Sequence, residues 1–201
     1  MEGTGAKPVT DNAVTDELDS FALELSDTAR IEKAGIMAAD FIRSHIYKAE
    51  GFAPLSSVTV EYRGSGARPL QDTGALRDSI VSELKSKHAV SVGTTKLYAP
   101  IQNDGGEIHA RKEWLFIPAK GTRRLERIYG SKPKDVLDGL KSSGYSVFRA
   151  GRTVCYRKKG KNEDARIAYY LKKSVVIPAR KFFYLSEDEM AQIQAEIFPD
   201  V

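Results

Sequence analysis

Residues 145–156 read YSVFRAGRTVCY, and this stretch decides the fold. Two short runs rich in aromatic and β-branched residues, Tyr145–Phe148 and Thr153–Tyr156, flank a four-residue connection that contains Gly151. Runs of this kind on either side of a glycine-containing turn are typical of a β-hairpin. Similar runs recur along the chain and together predict an antiparallel sheet: Ile80–Leu84 with Ala89–Val92, Trp114–Ile117, Arg166–Leu171 and Ser174–Ile177.

A helical pattern covers the chain from Thr15 to about Glu50. Apolar residues recur there at spacings of three and four, as on the buried face of a helix. Asp27 and Gly35 can mark a break, so one long helix and two shorter helices both fit the pattern. The apolar positions are Leu18, Phe21, Ala22, Leu25, Ala34, Ala38, Phe41, Ile42 and Ile46.

A second, shorter helix is predicted near the end of the chain. Ser186 is a suitable N-cap, and the carboxylates of residues 187–189 suit the positive end of the helix dipole. Met190, Ile193 and Ile197 would form its apolar stripe. The predicted fold class is therefore α+β, an antiparallel sheet packed by a long N-terminal helix and a shorter C-terminal helix.

The segments between these elements predict shorter structures. Val58–Tyr62 alternates and is expected to form a short strand or an extended loop. Asp72 stands where an N-cap would precede a short helical segment. Leu97–Asn103 is expected to form a short helix or turn ended by Gly105-Gly106, and Pro133–Leu140 a short helix.

Length and composition predict one domain. The chain has 201 residues, enough for one hydrophobic core. We expect a flexible, polar lead-in at residues 1–14 and a single domain at 15–201. No apolar run approaches the roughly 20 residues that a membrane span needs, and no signal peptide is evident. Cys155 is the only cysteine, which excludes an intrachain disulfide and fits assembly in the cytoplasm.

Charge is distributed unevenly along the chain. Residues 111–181 carry 20 Lys/Arg and 6 Asp/Glu, a net charge of +14, whereas the remainder carries 11 and 21, a net charge of −10. A chain divided in this way can pair with copies of itself, and it can also present a basic surface to nucleic acid. The sequence leaves both interpretations open.

Three collinear segments carry a resemblance to a known family. They are residues 69–80 (PLQDTGALRDSI), residues 92–106 (VGTTKLYAPIQNDGG) and residues 177–183 (IPARKFF), the last followed by Ser186-Glu187-Asp188. In this order they resemble the phage virion morphogenesis family, the Mu-like tail-completion proteins, and their wider tail-component and tail-terminator relatives. Those proteins typically show a DTG-x-L-x-x-S segment, a VGT…YA…GG segment and an IPARPF segment.

The chain departs from that family pattern at three places. Lys181 stands where the family usually has a second proline. Asn103-Asp104 replaces the usual aromatic residue before the paired glycines. Residues 119–145 are interpreted as an insertion.

The resemblance implies a non-enzymatic structural protein of the virion. It would sit at the head-tail junction, the neck, complete or terminate the tail, and help to join the tail to the head as an oligomeric ring. The family analogy suggests a hexamer. Expected partners are further copies of the chain, the tail-tube protein and the head-completion or connector proteins, with non-specific contact to genomic DNA in the ring lumen and no membrane. The expected location is the virion, after assembly in the cytoplasm of the host bacterium.

The motif residues are interpreted as structural joints. Glycines permit positive φ at turns and strand ends, Leu76 and Ile80 are expected in the core, and Pro178 stiffens the approach to the aromatic residues that follow it. The structural motif residues are Asp72, Thr73, Gly74, Leu76, Ser79, Gly93, Tyr98, Gly105, Gly106, Pro178, Arg180 and Phe182.

No residue pattern points to catalysis. Cys155 lies in an alternating run, where a small buried strand residue is expected rather than a nucleophile. His45, His88 and His109 have no metal-ligand spacing, so neither a metal nor a cofactor is expected.

Basic residues interleaved with aromatic ones form a second candidate surface. They are expected to face either DNA or a neighbouring subunit. A basic nucleic-acid-binding accessory protein is therefore the alternative function. The residues chosen for this role are Arg149, Arg152, Arg157, Lys158, Lys159 and Lys161.

Overall fold

The computed structural model describes residues 12–161 and 163–197, with side chains from Asp27 onward. Its elements run in the order α1 (Asn12–Lys48), α2 (Ser57–Arg63), a 3-10 turn (Arg77–Ser79), β1 (Ile80–Ser86), β2 (Ala89–Thr94), α3 (Ala99–Asp104), β3 (Gly106–His109), β4 (Leu115–Pro118), α4 (Thr122–Tyr129), α5 (Pro133–Ser142), β5 (Tyr145–Ala150), β6 (Thr153–Lys158), β7 (Arg166–Lys172), β8 (Ser174–Ile177) and α6 (Glu187–Ile197). All strand pairs are antiparallel, so the predicted α+β class is confirmed.

The chain divides into two compact units. Unit 1 comprises residues 1–44, 78–95 and 184–201, and unit 2 comprises residues 45–77 and 96–183. The division falls within α1, whose residues through Ser44 belong to unit 1. Of the predicted lead-in 1–14, residues 1–11 lie outside the described residues, and α1 begins at Asn12 rather than at Thr15.

Unit 1 packs the N-terminal helix against the β1–β2 hairpin and α6. Ala34 and Ala38 of α1 are buried with Ile193 of α6, and Val92 of β2 packs against them. Gly35 allows a close approach, because a Cβ there would lie 2.3 Å from Val90 Cγ2. The long N-terminal helix α1 and the shorter C-terminal helix α6 pack with an antiparallel sheet, as predicted. Of the predicted stripe, Leu18, Phe21, Ala22 and Leu25 fall where side chains are not described.

The start of α6 is fixed by a capping box. The Glu189 amide donates to Ser186 Oγ at 3.3 Å, and the Ser186 amide donates to Glu189 Oε2 at 2.8 Å. Reciprocal bonds of this kind satisfy two amides that a helix terminus would otherwise leave unpaired. The predicted cap is confirmed, and Ile193 is buried as predicted, but Met190 is exposed.

Unit 2 is built on a four-stranded sheet. Its strand order is β4-β7-β6-β5, and α4 and α5 contribute to its core. Val136 and Leu140 of α5 are buried with Tyr169 of β7. The hairpin predicted from residues 145–156 is confirmed, with Ala150 opposite Thr153. The 119–145 segment, interpreted as an insertion, forms α4 and α5, of which only the second was predicted.

A separate two-stranded sheet pairs β3 with β8. Ser174–Ile177 was expected to extend the main sheet, but it pairs with Gly106–His109 instead. Only Lys173 separates β8 from the end of β7. The chain therefore leaves one sheet and enters another within one residue, which alternation alone does not reveal.

Two local expectations were wrong. Val58–Tyr62 is helical, within α2, because Ser56 accepts a hydrogen bond from the Thr59 amide and begins the helix. A capped start favours helix even for a run of β-branched residues. Asp72 does not cap a helix, since residues 73–76 form bends and a turn, and the next helical segment is the 3-10 turn that begins at Arg77.

In the described part of the chain, no helix has both the length and the apolar character that crossing a membrane requires.

Candidate functional site

The second and third motif segments meet in unit 2 through their backbones. Gly106 lies opposite Ile177 in the β3–β8 pair. Gly105 has a φ of 74°, and a Cβ at that position would lie 2.7 Å from the Ala179 amide nitrogen. An L-residue would be strained there both by its conformation and by the close approach. We call this contact, formed by residues 102–106 and 177–183, the motif joint.

Two of the three departures from the pattern that the sequence resembles, Asn103-Asp104 and Lys181, lie opposite each other in the motif joint. Asn103 Oδ1 accepts hydrogen bonds from the amides of Phe182 and Phe183, both at 3.0 Å. Lys181 Nζ lies 2.5 Å from Asp104 Oδ1. The bonds from Lys181 and Asn103 lower the pKa of the Asp104 carboxyl. The two departures are therefore the two sides of one contact.

Arg180 connects the motif joint to the loop that contains Ala53 and Pro54. Its amide donates to the carbonyls of Gln102 and Asn103, at 3.1 and 3.2 Å. Its guanidinium donates to the carbonyls of Ala53, at 2.9 Å, and Pro54, at 3.1 Å. The residue is only 6% exposed, and burial lowers the pKa of the guanidinium. A buried arginine whose donors bond to backbone carbonyls stabilises the local structure.

Asp72, in the first motif segment, forms ion pairs instead of a helix cap. Its Oδ1 lies 2.8 Å from Arg123 Nη2 and 3.8 Å from Arg63 Nε. The side-chain amide of the neighbouring Gln71 donates to the carbonyls of Ile46 and Tyr47. These contacts give Gln71 and Asp72 structural partners within unit 2.

The first segment also joins the second within unit 1. Ser79 Oγ and Thr94 Oγ1 share a hydrogen bond of 2.6 Å. Leu76 and Ile80 are buried, as predicted. Gly74 has a φ of 80°, as its turn requires, whereas Gly93 has an ordinary negative-φ strand conformation and does not use the expected freedom.

The remaining motif residues have simpler surroundings. Phe182 is buried, and its ring makes an edge contact with Phe183. Tyr98 precedes α3 and is exposed, while Thr73 Oγ1 accepts a weak bond from the Ala75 amide. Pro178 is exposed between β8 and Arg180.

A half-buried cluster of polar side chains in unit 2 had no signal in the sequence. The Tyr62 hydroxyl donates to Glu126 Oε2 at 2.5 Å, and the guanidinium of Arg123 lies over the Tyr62 ring. Burial, and then the bond to Glu126, raise the pKa of Tyr62 to about 12. Burial also raises the pKa of Tyr169, whose buried hydroxyl has no hydrogen-bond partner in the described part of the chain. Periodicity cannot reveal this group because its members come from α2, α4 and β7.

The basic residues chosen from the sequence do not form one patch. Arg149 and Arg152 flank the β5–β6 turn, whereas Lys158, Lys159 and Lys161 lie toward the β6–β7 connection. Arg152 and Lys158 are six positions apart along an extended strand, which is roughly 20 Å at about 3.3 Å per residue.

Several of these cations already have partners. Arg149 Nε donates to the Gly151 carbonyl at 2.9 Å, and its guanidinium lies 5.0 Å from the Trp114 ring centroid. Arg157 lies over Phe148, and Lys161 Nζ is 3.7 Å from a Glu163 carboxylate oxygen. Contacts within the chain thus hold half of the predicted DNA-facing set.

Cys155 and the three histidines each lie in a different element or turn of the fold. Cys155 is buried in β6, as predicted, with its sulfur 3.4 Å from Thr153 Oγ1. His45 Nδ1 lies 3.1 Å from the Phe182 carbonyl oxygen. His88 lies in the β1–β2 turn, and His109 ends β3, exposed beside Glu107. Across residues 12–161 and 163–197, no group of three or more His, Cys, Asp or Glu side chains is arranged to hold a metal ion.

No protein-family model, curated protein sequence or solved structure matches this chain.

Proposed function

We propose that this chain is a non-enzymatic structural protein of a tailed-phage virion. In this proposal it sits at the head-tail junction, completes or terminates the tail, and acts as an oligomeric ring. The observation that carries the proposal is the motif joint. Two segments that resemble the tail-completion family, far apart in the chain, contact each other at the positions that make them recognisable.

The paired departures strengthen this argument. The family usually has an aromatic residue before the paired glycines and a proline where Lys181 stands. Here Asp104 forms an ion pair with Lys181, and Asn103 accepts the amides of the two residues that follow. A change on one side of a contact, matched by a complementary change on the other, is expected when the contact itself is kept.

Exposed apolar side chains in unit 2 offer contacts for neighbouring copies. Leu97 is 99% exposed, Val176 71% and Ile128 60%. Val176 lies in the two-stranded β3–β8 sheet, where each strand has one edge unpaired within the described residues. Free edges of short sheets readily accept another strand. Such surfaces suit a head-to-tail contact, which closes into a ring when the rotation divides a full turn.

The charges of the two units supply a polarity for that contact. Unit 1 carries 6 Lys/Arg and 16 Asp/Glu, a net charge of −10, and unit 2 carries 25 and 11, a net charge of +14. Unit 2 of one copy would therefore attract unit 1 of the next. Because exposed charges are screened by salt, ring formation should weaken as ionic strength rises.

The proposed partners follow from the proposed position. They are further copies of the chain, the tail-tube protein below and the head-completion or connector protein above, with assembly in the cytoplasm of the host bacterium. Genomic DNA would pass through the lumen without being read by sequence.

Deletion of the coding sequence from the phage or prophage genome that carries it tests the proposal. We expect electron microscopy of the lysate to show free filled heads and free tails, restored to joined particles by the gene supplied in trans. Native mass spectrometry of the purified chain should show a closed oligomer at low salt. Normal joined particles after deletion would refute the proposed function.

The alternative, a basic nucleic-acid-binding accessory protein, is favoured by the net charge of unit 2 alone. Tight, salt-sensitive DNA binding by a monomer would favour this alternative. A gel shift at physiological salt, run beside a native-mass measurement on the same sample, separates the two functions.

A further inference from the structure

Unit 2 contains a cavity that the motif segments do not form. It measures about 610 Å³ and is bounded by α4, the end of α5 and strands β5, β6 and β7. This volume lies within the roughly 300–1,000 Å³ that small-molecule sites occupy. Its rim carries three exposed cationic side chains, Lys120, Arg124 and Arg166.

Within the described residues the rim cations have no side-chain partner, unlike several other basic residues of unit 2. Arg149, Arg180 and Lys173 are held by carbonyls or by an aromatic ring. Within residues 12–161 and 163–197, no ion pair or side-chain hydrogen bond engages Lys120, Arg124 or Arg166. Three like charges around one cavity repel one another, so an anion bound between them would relieve the repulsion.

The walls of the cavity are aromatic. Tyr129, Tyr145, Tyr156 and Tyr170 line it and are half-buried. The Tyr129 hydroxyl donates to Ser143 Oγ at 2.9 Å, and Tyr145 and Tyr156 contact edge to face with centroids 5.7 Å apart. These contacts hold the rings in place before any ligand arrives, which lowers the entropic cost of binding.

We propose that this cavity binds a nucleoside phosphate, with the base among the tyrosines and the phosphate at the rim cations. A bare anion would use the rim and leave the aromatic walls without a partner. An acidic peptide would lack a planar ring to stack. A nucleotide satisfies both parts, since bases stack on aromatic side chains and phosphate accepts hydrogen bonds from arginine and lysine. The ligand is a free nucleotide or one nucleotide of a single DNA strand, and neither source depends on the virion function.

Calorimetric titration of the full chain tests the proposal with four probes: dAMP, inorganic phosphate, a 5′-phosphorylated octathymidylate and poly-glutamate. We expect dAMP or the oligonucleotide to bind more tightly than phosphate. If dAMP binds, the site takes a free nucleotide; if only the oligonucleotide binds, the site takes a nucleotide within a strand. Phosphate binding as tightly as both nucleotide probes, or binding of poly-glutamate alone, would overturn the proposal.

Two double variants with the same loss of charge locate the binding. Arg124→Gln with Arg166→Gln should weaken nucleotide binding about tenfold or more, since one lost hydrogen bond to a charged group is worth roughly that factor. Arg111→Gln with Lys112→Gln removes equal charge at residues that do not line the cavity and should change binding about twofold at most, the effect expected of weak exposed charges. Equal weakening in both variants would place the binding elsewhere. Both pairs are exposed, and circular dichroism checks that the fold is kept.

Tyr170→Leu tests the aromatic half of the site. It should weaken dAMP or oligonucleotide binding while leaving the weaker binding of inorganic phosphate unchanged, because only the base loses its stacking partner. Unchanged nucleotide affinity in this variant would contradict the placement of the base.

Discussion

The two units of this chain differ in net charge and in the size of the side chains that form their cores. Unit 1 is acidic and relies on small residues: Ala34, Gly35 and Ala38 let the helix approach the hairpin. Unit 2 is basic and relies on large ones, with Tyr169 fully buried in its sheet and Phe182 in the motif joint. The uneven charge of the chain therefore follows its division into two units, whose sequences carry net charges of −10 and +14.

Several cationic side chains of unit 2 are stabilised by contacts with an aromatic ring or with backbone carbonyls. Trp114 has Arg149 on it at 5.0 Å and Lys173 at 4.1 Å from its ring centroid, and Arg180 is bonded to two carbonyls. Such contacts stabilise cations in addition to carboxylates, and Arg149 Nη1 also lies 3.7 Å from Glu113 Oε1. The cations at the rim of the cavity have no such contact within the described residues.

The largest expected effect comes from removing the core of one unit at a time. Leu140→Ala in unit 2 and Ile80→Ala in unit 1 should each lower the free energy of unfolding by roughly 3–5 kcal/mol, because both side chains are fully buried. Hydrogen exchange should rise mainly in the unit that carries the change. Leu97→Ala is the matched control and should leave unfolding unaffected. Equal rises in hydrogen exchange in both units would show that the two units unfold as one cooperative unit.

The next effect concerns the motif joint. Gly105→Ala should cost about 3 kcal/mol, because the residue has positive φ and the new Cβ meets the backbone of Ala179. Gly93→Ala is the control, since a Cβ there meets nothing within 4 Å. Urea denaturation of both variants measures the difference. Similar midpoints for the two would contradict the close approach.

A smaller effect is expected at the end of unit 1. Ser186→Ala should lower stability by about 1 kcal/mol, since it removes the acceptor for the Glu189 amide. Ser186→Asp should restore most of the loss because aspartate is also a good N-cap. Thermal unfolding of the three proteins checks this order, and a loss that aspartate fails to rescue would argue against capping.

The smallest effect is a pH dependence in unit 2. The pKa of Tyr62 is raised from 10.0 to about 12, so its contribution to stability is complete below pH 10. It should be lost as the pH rises from 10 to 12, because the unfolded state releases the proton first. Tyr62→Phe should therefore flatten the stability profile in this window. Denaturant unfolding at pH 9, 10 and 11 measures the slope, and parallel profiles would disprove the shift.

Local patterns predicted what local forces decide. The hairpin of residues 145–156, the hairpin of residues 80–92, the cap at Ser186 and the buried face of α1 all follow from side-chain spacing and turn chemistry. The burial of Leu76, Ile80 and Cys155 followed for the same reason. The collinear segments marked the motif joint, although nothing in their order said that two of them touch.

Contacts between distant residues decided the rest. The partner of β8, the ion pairs of Asp72 and the pairing of Lys181 with Asp104 each depend on which segments become neighbours in space. The cavity is the clearest case, because only the fold brings Lys120 and Arg124 to the same cavity as Arg166. Spacing along a chain records the period of one element, whereas pairing energy arises between elements, so only the folded structure settles it.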